Sequence, residues 1–75
     1  MISEGLVYDT IRNPERVLFG KESGYFIAVK KVSDKFLIVA YLLLEESIIR
    51  VITTFLTSDP SIIERRVGRG RWEPL

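Results

Sequence analysis

Apolar residues recur at Ile2, Leu6, Val7 and Ile11, the spacing of one helical face, and this period breaks at Asn13-Pro14. Ser3 stands where a helix N-cap would, with Glu4 in the first turn, where a negative charge suits the helix dipole. Proline pushes the residue before it out of the α region, so the helix is predicted to end at Asn13. Beyond Pro14 the pattern becomes strand-like. Four runs rich in Val, Ile, Phe and Tyr are predicted as strands: 16–19, 25–32, 36–44 and 48–56. Residues 21–24 read as a turn, and Ser33-Asp34 and Glu45-Glu46 are short enough for hairpin connections. Asp59-Pro60 then resembles an N-cap followed by proline at the first helical position, opening a short helix through Ile62, Ile63 and Arg66 that Gly68 stops. Residues 69–75 have no periodicity and are predicted to be a loose tail.

These elements make an α+β domain: an N-terminal helix, a four-stranded antiparallel meander, and a short C-terminal helix, with both helices on one sheet face. With two-residue turns, Phe26 faces Tyr41, Tyr41 faces Arg50 and Val39 faces Ile52. One face then carries Ile27, Val29, Phe36, Ile38, Ala40, Leu42, Ile49, Val51 and Phe55, the expected core. The other carries Phe26, Ala28, Leu37, Val39, Leu43, Ile48, Ile52 and Thr54 around Lys30, Tyr41 and Arg50. It is too apolar to face water, so it is expected to be covered by a second copy, a protein partner or the C-terminal segment.

Composition narrows the chemistry. Seventy-five residues make one domain, 1–75, and a chain this short buries only about 60% of its unfolded surface. A homodimer or a partnered state is therefore expected. Cysteine and histidine are both absent, which removes disulfides, thiolate and imidazole metal ligands, and imidazole acid–base catalysis. The pair Glu45-Glu46 diverges in a tight turn and has no third carboxylate near it, so no metal site is predicted. The segment 20–24 lacks the phosphate-loop pattern, and no cofactor is expected. The longest apolar run, Phe36 to Leu44, is too short for a membrane helix, and Glu4 and Asp9 interrupt any leader-like start, so the expected location is cytoplasmic. Nine isoleucines beside no Gln, Cys or His and a single Asn fit a thermophile.

Net charge is +1, but Arg65, Arg66, Arg69 and Arg71 cluster near the C-terminus, interleaved with Gly68, Gly70 and Trp72. Such a segment can track a phosphate backbone while Trp72 stacks on a base; alternatively Trp72 anchors the tail by packing on the sheet. Lys30, Tyr41 and Arg50 form the candidate catalytic constellation. In a histidine-free, metal-independent ribonuclease, Tyr41 or Lys30 would move the proton and Arg50 would stabilise phosphate charge. The competing reading is an Arg50–Tyr41 cation–π pair, or Arg50 in a dimer interface.

Residues 2–15, ending in Asn13-Pro14-Glu15, resemble the short helix and "NPE" turn of small proteins related to the RelE/ParE and BrnT toxins. The strands Phe36–Tyr41 and Ile49–Thr54 are similar to their closing strands, and Glu64-Arg65 resembles the Glu-Arg pair of their last helix. The resemblance implies a RelE-like fold and an RNA-cleaving or RNA-binding module of a toxin–antitoxin system, with RNA and an antitoxin as partners. The chain departs from that pattern in lacking the strand and basic or His-bearing helix that usually precede the "NPE" helix. The alternative is a non-catalytic interaction or regulatory protein of the same fold.

Overall fold

The computed structural model describes residues 2–75. The element order is α1 (Glu4–Arg12), β1 (Arg16–Gly20), β2 (Phe26–Val32), β3 (Lys35–Glu45), β4 (Ile48–Thr57), α2 (Ser61–Gly68) and β5 (Trp72–Pro74). The strands form one antiparallel sheet in the order β4-β3-β2-β1-β5. The α+β class is as expected, with five strands in place of four. The fifth comes from the segment predicted to be loose: Trp72, Glu73 and Pro74 pair with Gly20, Phe19 and Leu18 along the free edge of β1.

The predicted helix start holds at Ser3, whose Oγ accepts the Leu6 amide at 3.1 Å. The β2–β3 register also matches, with Phe26 opposite Tyr41 and Val32 opposite Lys35. The turn between them places Ser33 at φ 58°, a left-handed conformation that a serine adopts at some cost.

Two expectations are corrected. The helices lie on opposite faces. Leu18, Ile27, Val29, Ile38 and Ala40 are buried with Ile63 of α2, while Ala28, Leu37 and Val39 are buried beneath Leu6, Val7 and Ile11 of α1. Around Ala28, Leu37 and Val39 the apolar second face is thus covered by the chain's own first helix. A sheet buried on both sides explains the unbroken apolar run in β3, since consecutive residues then all face cores. Thr10, fully buried on α1, satisfies its hydroxyl by donating to the Leu6 carbonyl at 2.8 Å.

The second correction is the β3–β4 register. The turn falls on Glu46-Ser47 rather than on Glu45-Glu46, with Glu45 opposite Ile48. Irregularities between Leu43 and Glu45 and between Ala40 and Tyr41 shift the ladder further, so that Tyr41 faces Val51, Leu42 faces Arg50 and Val39 faces Thr54. A β-bulge adds an unpaired residue to one strand and resets which side chains share a face. Val51 accordingly packs with Tyr41 on the α1 side, not with Ile27 and Val29. Beyond the bulge the hairpin extends outward, leaving Leu43, Leu44 and Ile48 about half exposed, at 51%, 56% and 48%.

Candidate nucleic-acid interface

The C-terminal arginines are gathered by the way α2 begins and ends. Asp59 opens the helix: its Oδ1 accepts the Ser61 amide at 3.0 Å and the Ser61 hydroxyl at 2.6 Å, which holds its carboxyl below the ordinary value of 3.8. Ile63 is buried against the sheet, with Ile62 and Val67 partly buried beside it. At the far end the Arg71 amide donates to the Arg66 carbonyl at 3.0 Å and the Gly70 amide to the Val67 carbonyl at 3.0 Å. Gly70 has φ +72°. This is a Schellman termination, in which glycine supplies the left-handed residue that reverses the chain. The reversal sends residues 72–74 along β1 and carries Arg69 and Arg71 back beside Arg65 and Arg66.

Arg65, Arg66, Arg69 and Arg71 consequently line one concavity of about 230 Å³ together with Ile62. The segment's own carboxylates point elsewhere. Glu64 accepts from Arg16 at 2.6 Å and Glu73 lies 3.8 Å from Lys21, both partners standing on or beside β1. Arg65 has Asp59 at 3.6 Å, a long and exposed ion pair. Cations in the last turn of a helix are worth about 0.3–1 kcal/mol against the dipole. That role is served by Arg65 and Arg66 and does not account for Arg69 and Arg71, which lie past the helix.

Trp72 borders this concavity. The Arg66 guanidinium carbon sits 5.0 Å from its ring centroid, a cation–π contact. Trp72 also packs against the α2-side core. A second recess of about 260 Å³ adjoins it, lined by Tyr25, Ile27, Ala40, Thr53, Phe55, Arg66 and Trp72 among others. A third cleft, about 310 Å³, lies between α2 and the other end of the sheet, beside Arg16, Lys31, Phe36 and Ile63. Within it Glu15 accepts the Lys31 backbone amide at 2.6 Å and Glu64 holds Arg16.

Lys30, Tyr41 and Arg50 are not brought together. The Lys30 ammonium donates to Asp9 of α1 at 2.7 Å, and this hydrogen bond is the main cause of the lowered Asp9 carboxyl. Tyr41 stacks on Phe26 with ring centroids 5.7 Å apart, and burial raises its phenol. Phe26, opposite Tyr41, and Lys30, opposite Leu37, stand four positions apart on β2, a gap of about 13 Å along the strand. Arg50 is exposed and opposite Leu42, so the pleat points it away from the face that carries Tyr41. The expected Arg50–Tyr41 cross-strand pair is therefore corrected: the turn lies at Glu46-Ser47 and the ladder shifts between Leu43 and Glu45. The Asp9–Lys30 pair, and the recess joining Tyr25 and Phe55 to Trp72, join residues 17 to 47 positions apart in the chain, and the solitary Trp72 was the recess's one signal in the sequence.

No protein-family model, curated protein or solved structure matches the chain. No helix among the described residues is long and apolar enough to cross a membrane.

Proposed function

We infer that this chain is a binding module for single-stranded RNA, gripping the phosphate backbone in the arginine concavity. The observation that carries the reading is the convergence of Arg65, Arg66, Arg69 and Arg71 on one concavity while Glu64 and Glu73 turn to Arg16 and Lys21. Guanidinium groups match phosphate geometry and release counterions on contact. The resemblance of 2–15 and of the β3–β4 strands to RelE/ParE and BrnT toxins favours RNA over DNA, and in that frame the chain is a toxin-related, RelE-like module that binds rather than cleaves. The dispersal of Lys30, Tyr41 and Arg50 supports binding over cleavage.

The test is fluorescence anisotropy with a labelled RNA 10-mer across a salt series. Each phosphate contact on a single strand contributes about −0.7 to the log–log slope. Arg69→Ala combined with Arg71→Ala should reduce the slope by about 1.4 and weaken binding for every sequence alike. Salt-independent or absent binding overturns the reading.

A second reading concerns self-association. The two sheet edges differ: β5 presents three residues including Glu73 and Pro74, features that discourage edge pairing, whereas β4 presents ten, with Arg50 its one charged side chain. An antiparallel edge can pair with its own copy about a two-fold axis, and Ile48, Ile52 and Leu56 lie exposed along this one. The occupant is a second copy of the chain, joined β4 to β4. Sedimentation at micromolar concentration checks it: a dimer that Ile52→Lys converts to monomer supports the pairing, and a wild-type monomer rejects it.

A further inference from the structure

We propose that the recess beside Trp72 is a nucleobase subsite, so that the chain holds one nucleotide of a single strand with its phosphate among the arginines and its base against Trp72, Tyr25 and Phe55. The inference rests on the phosphate-binding reading above and names what that reading leaves open, the part of the polymer other than its backbone.

The two depressions are neighbours by construction. Arg66 lines both, and its guanidinium lies over the ring of Trp72, which lines the recess. A phosphate held by Arg66 therefore stands at the mouth of an aromatic-walled recess. Aromatic and apolar side chains, namely Tyr25, Ile27, Ile38, Ala40, Phe55 and Trp72, make up most of the wall, and the hydroxyl-bearing Ser23 and Thr53 complete it. A flat, apolar-faced group with a polar edge suits such a lining, and a nucleobase is one. The volume, about 260 Å³, falls below the roughly 300–1,000 Å³ of sites for drug-sized ligands, which fits a single base rather than a whole nucleotide. The Ser23 hydroxyl already accepts the Tyr25 amide at 3.2 Å, so Thr53 on β4 is the side chain placed to meet a base edge. A duplex cannot present a base to such a recess without unpairing it, so the site selects single strands.

The site also explains why a lone tryptophan sits among arginines. Charge draws the backbone without regard to sequence, and an aromatic wall adds affinity for any unstacked base.

The experiment compares three probes on the intact chain: rA10, a ten-unit abasic ribose-phosphate chain of equal charge, and a 10-bp RNA duplex. Trp72 is the only tryptophan, so its emission reports directly on the recess. The expected result is that rA10 quenches Trp72 emission and binds at least about fivefold more tightly than the abasic chain, with the same salt slope. Phe55→Leu, which keeps apolar bulk, should remove most of that difference while leaving the abasic affinity unchanged. Equal binding of rA10 and the abasic chain, without quenching, overturns the base subsite and leaves the phosphate reading intact. Failure of all three probes to bind overturns both. Duplex binding as tight as rA10, again without quenching, also overturns the subsite.

Discussion

The Arg66 guanidinium lies 5.0 Å from the centroid of the Trp72 ring, and this contact joins the last turn of α2 to the edge strand that closes the sheet. Trp72 thus supports the arginine concavity and anchors the C-terminus together. Replacing it by alanine removes partly buried ring surface and the cation–π contact, a loss of about 2 kcal/mol. In so small a domain the thermal midpoint should fall by at least about 5 °C, read by circular dichroism. Trp72→Phe should recover most of it, and deletion of 72–75, which also removes the β1–β5 pairing, should lower the midpoint further than the alanine variant.

The two cores lie back to back on β3, where Leu37 faces α1 and Ile38 faces α2, each no more than 1% exposed. Leu37→Ala and Ile38→Ala should each cost about 2–5 kcal/mol in urea melts. Similar losses from adjacent residues are the signature of a sheet buried on both faces. A Leu37→Ala variant as stable as the parent would mean that α1 does not cover its face.

Asp9 and Asp59 both titrate below the ordinary value of 3.8, Asp9 through the Lys30 hydrogen bond and Asp59 through Ser61. A carboxyl depressed in the folded state adds stability that is fully present above its unfolded value and is lost as pH falls through the lower, folded one. Stability should therefore decline below about pH 4. Asp9→Asn with Asp59→Asn should flatten that acid limb, at the expense of lower stability near pH 7. Both groups are exposed, so the effect is small.

Arg50 stands exposed on the outward hairpin, opposite Leu42 and away from Tyr41. Arg50→Ala should leave folding stability within about 0.5 kcal/mol and RNA affinity unchanged, in contrast to Arg69→Ala. Growth arrest on expression that depends on Arg50 would be the opposite outcome and would restore a cleavage mechanism.

Ser33 occupies φ 58° at the first central position of the β2–β3 turn. Glycine adopts that conformation without steric cost, so Ser33→Gly should stabilise the hairpin by about 0.5–1 kcal/mol, measured by chemical denaturation. An unchanged or lowered midpoint would show that the loss of chain entropy outweighs the relief.

Much of the architecture was legible because it depends on near neighbours. Ser3 and Asn13-Pro14 bound the first helix, Ser33-Asp34 sets the β2–β3 register, and the second helix ends at Gly68 as expected, although Gly70 is the glycine that turns the chain. The candidate catalytic set fails for two reasons: the β2–β3 register, correctly expected, already sets Lys30 four positions from the residue opposite Tyr41, and the place of Arg50 assumed an unbroken ladder between β3 and β4. The turn falls one residue later than expected, on Glu46-Ser47, and an irregularity between Leu43 and Glu45 leaves no mark in composition or alternation. Together they move Val51 across the sheet and set Arg50 opposite Leu42 instead of Tyr41.

By itself the sequence determined the class of fold, the helix and strand periods and the clustering of four arginines around a single tryptophan, since these follow from backbone propensity and the order of side chains. Tertiary structure alone decided which sheet face each helix covers, because both faces of β2 and β3 are apolar and alternation cannot rank them. It also decided that the C-terminal segment is a strand. Three residues are too few to carry a period, and Trp72–Pro74 are extended because the free edge of β1 supplies their hydrogen bonds and the α2-side core receives the indole. The same contact drew the arginines into one concavity beside an aromatic recess, a juxtaposition that exists only once residues 19 and 73, far apart in the chain, lie side by side.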